Sequence, residues 1–391
     1  MSVFDALVGQ EAVVTQLQTA AVAAAEAVAG GSGAGMTHAW LFTGPPGSGR
    51  SVAARAFATA LQCPDLGCGR CSTCLQALGG SHPDVAILVP EGLHLLIEQA
   101  RDIIVRSARA PTRGRWQVTL VEDADRMEER TSNTLLKAVE EPPPHSVLLL
   151  CAPSAEDLLP TIRSRCRLVP LRTPRAAAVA AILVQRDGAD QAIAAFAARA
   201  AQGHIGRAHR LATDEAARSE RRSVLALPRS LGSVGAALAA AKELVDAAKE
   251  ESDRVAGTRD AAEKEALSTA LGGGATGKGY TGRAPKGGAG ALKDLEKRQK
   301  ARGTRTQRDA LDRALIDLAA FYRDVLSLQL GAGVALVHGD LSEQAAAAAR
   351  TSTAEATLRR IDAVLACRVA IDGNVAVLLA VEAMALRLRS G

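Results

Sequence analysis

Gly44-Pro45-Pro46-Gly47-Ser48-Gly49-Arg50-Ser51 is the stretch that decides the fold. Its spacing is that of a phosphate-gripping loop: glycine, four residues, glycine, a cation and a hydroxyl. Glycines are required because the backbone must wrap an anion with its amide hydrogens pointing inward. The apolar run His38-Ala39-Trp40-Leu41-Phe42-Thr43 precedes it as a buried strand, and Ser51 to Leu61 follows with helical periodicity. Strand, glycine-rich loop and helix together are the setting such a loop needs. One position departs from the pattern. Arg50 stands where a lysine should reach the phosphates, and a planar guanidinium does not substitute freely for a compact ammonium.

Working outward, Ser2 to Val28 reads as a helical entry. Further strands are expected at Asp84–Val89, Gln117–Val121 and Val147–Cys151, with helices at Leu93–Arg109 and Ser132–Glu140 between them. Alternation of this kind predicts an α/β domain with a parallel sheet and flanking helices. After about Leu171 the strand signals stop and Ala-rich helical patterns take over. Three domains are therefore expected: an α/β P-loop domain over 1–172, a small helical lid over 173–215 and an all-α domain over 216–391. Within the last, 272–305 is rich in Gly, Lys, Arg and Thr without apolar periodicity, and it reads as a disordered insertion.

The strand Val118–Val121 ends in Glu122-Asp123. An ATPase of this architecture would present Asp then Glu, the first to help hold Mg²⁺ and the second to polarise water. The reversed order gives each carboxylate the wrong reach by one methylene, and positioning dominates phosphoryl transfer. Ser51 would hold the Mg²⁺. Three readings stay open for the loop: binding with hydrolysis, binding without it, or an inherited loop left empty. Arg50 and the inverted acid pair move weight to the last two.

Cys63, Cys68, Cys71 and Cys74 crowd into twelve positions. With no export leader at Met1-Ser2-Val3-Phe4-Asp5, thiols at this spacing point to a structural Zn²⁺ site rather than to disulfides. The same start and the lack of a spanning apolar run predict a cytoplasmic protein. Formal net charge is +5, but 272–310 holds ten Lys or Arg against three Asp or Glu, so the rest of the chain is slightly acidic. That distribution excludes uniform nucleic-acid coating and leaves a local phosphate contact from Lys278 to Arg308 as an alternative to a solvated linker.

Several segments read together. Phe4-Asp5-Ala6-Leu7-Val8-Gly9-Gln10-Glu11, Asn133-Thr134-Leu135-Leu136-Lys137-Ala138-Val139-Glu140-Glu141-Pro142-Pro143, and Ser164-Arg165-Cys166 resemble the boxes of bacterial DNA polymerase III clamp-loader subunits of the AAA+ class. The cysteine insertion resembles their zinc module, with a shorter first gap. The altered loop beside an intact Ser-Arg-Cys resembles the non-motor, delta-prime type. The resemblance implies an arginine finger at Arg165 acting on a neighbour's ATP, with Arg163 as the competitor for that role. It also implies a second sensing arginine in the lid, where Arg207 stands. The partners it implies are the gamma/tau motor subunits and the delta subunit, with the sliding clamp and primer–template DNA reached through the complex, and no membrane. Motor activity of gamma/tau type and a zinc-containing DNA-binding module are the alternatives. Nothing in the chain resembles a polymerase active site.

Overall fold

The computed structural model describes residues 2–90, 92–95, 97–270 and 288–390. Among them, five strands form one sheet: β1 (Ala39–Thr43), β2 (Val85–Leu88), β3 (Gln117–Val121), β4 (Ser146–Ala152) and β5 (Arg167–Pro170), in the order β2-β3-β4-β1-β5. Every pairing is parallel. β1, β3 and β4 are buried along their whole length, as strands with helices on both faces must be. Leu41 lies beside Leu150, and Leu150 beside Val121. The carboxyl end of β1 thus reaches two residues beyond that of β3 on the other side of β4, and the carboxyl edge is where open α/β sheets place their ligands.

Among the described residues, nine α-helices accompany the sheet: α1 (Glu11–Val28), α2 (Arg50–Gln62), α3 (Ser72–Leu78), α4 (Ile97–Ser107), α5 (Glu129–Glu140), α6 (Pro160–Arg163), α7 (Ala176–Asp187), α8 (Gln191–Ala200) and α9 (Ile205–Thr213). One face of the sheet packs Trp40, Phe42, Val118 and Leu149 against Phe57 and Leu61 of α2 and Leu17 of α1. The other packs Leu41, Val121, Leu148 and Leu150 against Leu135 and Val139 of α5. The chain divides into two compact units, the second made of the residues from Asp214 onward together with a short stretch of the β2–α4 connection ending at Leu93. The second is all helical: α10 (Glu215–Ser230), α11 (Val234–Ala270), α12 (Gly288–Gln329), α13 (Ser342–Thr351), α14 (Ala354–Asp372) and α15 (Val377–Ser390). Its core is built on Leu311, Leu315, Leu318, Val325, Val364, Val381 and Ala385. The described residues thus form an α/β P-loop domain with a parallel sheet, followed by helical regions.

Two expectations are corrected. β5 escapes the sequence reading because it is a four-residue edge strand in which Val169 alone is buried, so no apolar run marks it. The expected disordered insertion is helical over Gly288 to Arg305, within α12; residues 271–287 lie outside the described residues. Order there comes from pairing with α11 rather than from an apolar stripe. Leu295 and Gln299 are buried, Ser252 donates to the Gly303 carbonyl at 2.9 Å, and Arg302 bridges Asp260 and Glu263. Burial alone would raise Glu263, but the Arg302 bond outweighs it and brings the carboxyl down to about 2.

Candidate nucleotide site, finger and cysteine cluster

The phosphate loop joins β1 to α2. Gly44 must be glycine because a Cβ there would sit 2.6 Å from both the Leu171 carbonyl oxygen and Ser48 Oγ. Gly47 has φ of +84°, and its Cβ would fall 2.4 Å from the Cα and Cβ of His204. The residue that opens α9 therefore abuts the loop directly. Gly49 caps α2 in the left-handed region, and Arg50 and Ser51 begin that helix. From below, the buried Gln10 clamps the loop: its amide donates to the Arg172 carbonyl at 2.5 Å and to the Ser48 carbonyl at 3.4 Å, and it accepts from the Arg172 amide at 3.2 Å.

The acid pair is arranged in an unexpected way. Glu122 is tied to Arg55 of α2, with Nε to Oε1 at 2.9 Å and Nη2 to Oε1 at 2.8 Å. Asp123 adopts a left-handed conformation and stands 3.9 Å from Arg126. A third carboxylate, Asp125, which sequence reading did not single out, lies within the field of Arg50. Burial, then the neighbouring Asp123, raises the Asp125 pKa, while Arg126 and Arg50 pull against the rise. Ser48 Oγ, Arg50 Nη1 and Asp125 Oδ1 are buried and have no hydrogen-bond partner among the described residues. Unpartnered buried donors at the mouth of a glycine loop suit an anion. Glu122 is thus already engaged by a cation of α2. Cys151 closes the floor between the two elements; burial, and then Glu122, pushes its thiol up, so it is an inert core sulfur.

Arg165 follows α6 and is less than half exposed. Its guanidinium donates to the Thr161 carbonyl at 2.9 Å and to Ser164 Oγ at 3.3 Å, and pairs with Glu140 at 3.0 Å. Arg163 is equally exposed and pairs with Glu156 at 3.5 Å. Exposure does not separate the two, but Arg165 is held by three groups at the surface. Arg207 is half-buried, and its amide donates to His204 Nδ1 at 3.2 Å, part of the turn that opens α9.

Cys63 ends α2, Cys71 caps α3 and Cys74 lies in its first turn. Cys63 Sγ lies 3.8 Å from both Cys68 Sγ and Cys71 Sγ, and Cys68 Sγ lies 4.0 Å from Cys74 Sγ. All four sulfurs fall within 4.8 Å of one another. A tetrahedral Zn²⁺ with bonds of about 2.3 Å has sulfur–sulfur edges of about 3.8 Å, so the donor set fits the ion. These separations are far from the roughly 2 Å of a disulfide. The Arg70 and Cys71 amides lower the half-exposed Cys68 thiol to about 6, whereas burial raises Cys74.

A family model described as "DNA polymerase III, delta subunit" matches residues 30–175. The DNA polymerase III subunit delta' of Pseudomonas aeruginosa is 37% identical over 147 residues, covering 36% of this chain and 45% of that protein. Subunit gamma/tau of Mycobacterium tuberculosis is 32% identical over 212 residues, covering 51% of this chain and 35% of the relative. The chain thus spans less than half the length of these curated relatives. Among solved structures, a RuvB mutant of Thermotoga maritima aligns at TM-score 0.39 and 18% identity, over 57% of this chain and 65% of the other. A gamma subunit-related protein of the same organism aligns at TM-score 0.35 and 18% identity, over 76% and 98%. No described helix is long and apolar enough to cross a membrane. Through the region that holds the phosphate loop, the acid pair and the cysteines, this chain is similar to subunits of the DNA polymerase III clamp loader, of the delta' and gamma/tau types.

Proposed function

We propose that this chain is a non-motor subunit of a clamp loader, which assembles with gamma/tau-type ATPases and offers Arg165 to a neighbour's nucleotide while its own site turns over none. One observation carries the reading: Glu122, one of the two acids on which Mg²⁺ and water activation would depend, is engaged by Arg55. The loop keeps donors for a phosphate in Ser48 and Arg50, so the site is passive rather than catalytic. In such a complex a guanidinium brought onto the γ-phosphate would stabilise transition-state charge, an effect of about 10³ to 10⁵ in rate for arginine fingers. Arg165 would have to exchange Glu140 for that phosphate, an easy exchange because exposed ion pairs contribute at most about 1 kcal/mol. In the same reading the four cysteines hold a structural Zn²⁺ that fixes the loop between α2 and α3, and the chain works in the cytoplasm at the replisome, with the delta subunit, the sliding clamp and primer–template DNA as partners through the complex.

The test is to reconstitute the chain with its motor subunits and compare wild type, Arg165→Ala and Arg163→Ala. Loss of DNA-stimulated ATPase in the first variant alone supports the finger. Undiminished ATPase and clamp loading with Arg165→Ala refutes it. The gamma/tau match covers more of this chain than the delta' match, which keeps a motor reading in play. ATP turnover by the purified chain, abolished by Arg50→Ala, would establish it.

A further inference from the structure

α11 and α12 run antiparallel, and their outer halves extend away from the core of the second unit as a two-helix arm. The core residues stop at Ala248 on α11 and begin at Ala310 on α12. Beyond them, the seam is made by Leu295, Gln299 and Arg302, spaced i, i+4, i+7 on one face of α12. Gln299 donates to the Asp260 carbonyl at 3.0 Å, and Arg302 meets Asp260 and Glu263. Lys264 lies 3.8 Å from Glu296. Cations on this seam are neutralised by α11.

The opposite face of α12 is different. Lys293, Lys297 and Lys300 recur at i, i+4, i+7, on a line about 180° from the seam. Arg298 stands on the flank. All four are exposed, and none has an ion-pair partner among the described residues. Over 288–308 there are seven Lys or Arg against two Asp or Glu. Like charges at i and i+4 oppose helix formation, so this row weakens the arm that carries it. Asp294, three residues before Lys297 and four before Arg298 on the same helix, is exposed and forms no ion pair with either among the described residues.

We infer that the Lys293–Lys297–Lys300 face of the arm binds the phosphate backbone of double-stranded DNA. The three ammonium groups span about 10 Å along the helix, a length over which a duplex presents several phosphates. Aromatic residues are absent from 249–270 and 288–308. Single-strand binding draws on aromatic stacking, and protein interfaces are depleted in lysine and rely on aromatic or arginine anchors. Unpaired lysines without an aromatic anchor, with the exposed Arg298 as a further cation on the flank, suit sequence-independent phosphate contact to a duplex. The inference stands apart from the role proposed for Arg165, because it rests on residues of the other unit.

The experiment is fluorescence anisotropy of a labelled random-sequence duplex with the full chain, titrated at several salt concentrations. The variant is Lys293→Gln/Lys297→Gln/Lys300→Gln, which keeps helix propensity. Its affinity should fall roughly tenfold or more at low salt. The slope of log K against log salt should become shallower by about 2.7, or about 0.9 for each phosphate that the variant leaves unneutralised. The matching triple Lys→Arg variant should retain the wild-type slope. Circular dichroism and thermal midpoint guard against misfolding. An unchanged slope in the Gln variant, no duplex binding by the wild type, or tighter binding to a single strand than to the duplex overturns the inference.

Discussion

Replacing Cys68 by serine isolates the contribution of one metal ligand. Cys63 and Cys74 are fully buried, so changing them would also disturb packing. Cys68 is half-exposed, and its loss touches little beyond the cluster. The sulfur separations of 3.8 to 4.0 Å match the edges of a zinc–thiolate tetrahedron, so the site needs little rearrangement to bind. Structural zinc in finger peptides contributes about 10–16 kcal/mol of apparent binding free energy at neutral pH. Divided among four ligands, one thiolate accounts for about 2.5 to 4 kcal/mol, or about 10² to 10³ in affinity. Wild-type protein should carry about one equivalent of Zn²⁺ by elemental analysis, as a closed four-thiolate site requires. Cys68→Ser should lose it to a competing chelator at correspondingly lower concentration. A second readout is local. The Val3 amide donates to the Gly67 carbonyl at 2.9 Å, inside the cysteine loop, so its hydrogen exchange should accelerate in the variant while the sheet stays protected. Wild-type protein with less than about half an equivalent of zinc, or a variant with unchanged zinc affinity, would refute the reasoning.

Gly47→Ala should destabilise the first unit by about 1–3 kcal/mol, since it forces a side chain into a left-handed residue and against His204; an unchanged thermal midpoint would show that α9 does not hold that position. Burial alone would raise Asp84, but the Thr112 amide and hydroxyl and the Arg113 and Gly114 amides bring it down to about 2. A depressed folded pKa stabilises above the unfolded value and is lost as pH falls toward 2, so Asp84→Asn should cost about 2–3 kcal/mol at pH 7 and flatten the acid limb of the unfolding curve. His338 is buried, accepts at Nδ1 from Arg221 at 2.6 Å and donates from Nε2 to the Asp317 carbonyl at 3.0 Å. Burial, then Arg221, lowers its pKa. The unfolded chain therefore takes up a proton that the folded one refuses, and stability of the second unit should fall as pH drops below about 6.5, by up to about 1.4 kcal/mol per pH unit. Urea titrations of wild type and His338→Gln across that range should show the slope only in the wild type.

What could be read from the sequence was local chemistry. Glycines at fixed spacing, buried apolar runs for β1, β3 and β4, and four cysteines within twelve positions carry their meaning within a few residues, because backbone conformation and strand burial are short-range constraints. Arg50 and the Glu122-Asp123 order were visible on the same terms. Tertiary structure decided what those residues do with their charge. Glu122 meets Arg55 from 67 positions away, Asp125 comes within the field of Arg50, and His204 reaches Gly47 only after the whole sheet has been laid down. None of these pairings has a period or a motif, because each is set by how helices settle on the sheet. The same reason explains 288–305. Its composition argues for disorder, since it buries almost no apolar surface of its own, yet α11 supplies carboxylates and a carbonyl at matching heights and makes a helix of it. Composition weighs a segment against water; the fold weighs it against a neighbour.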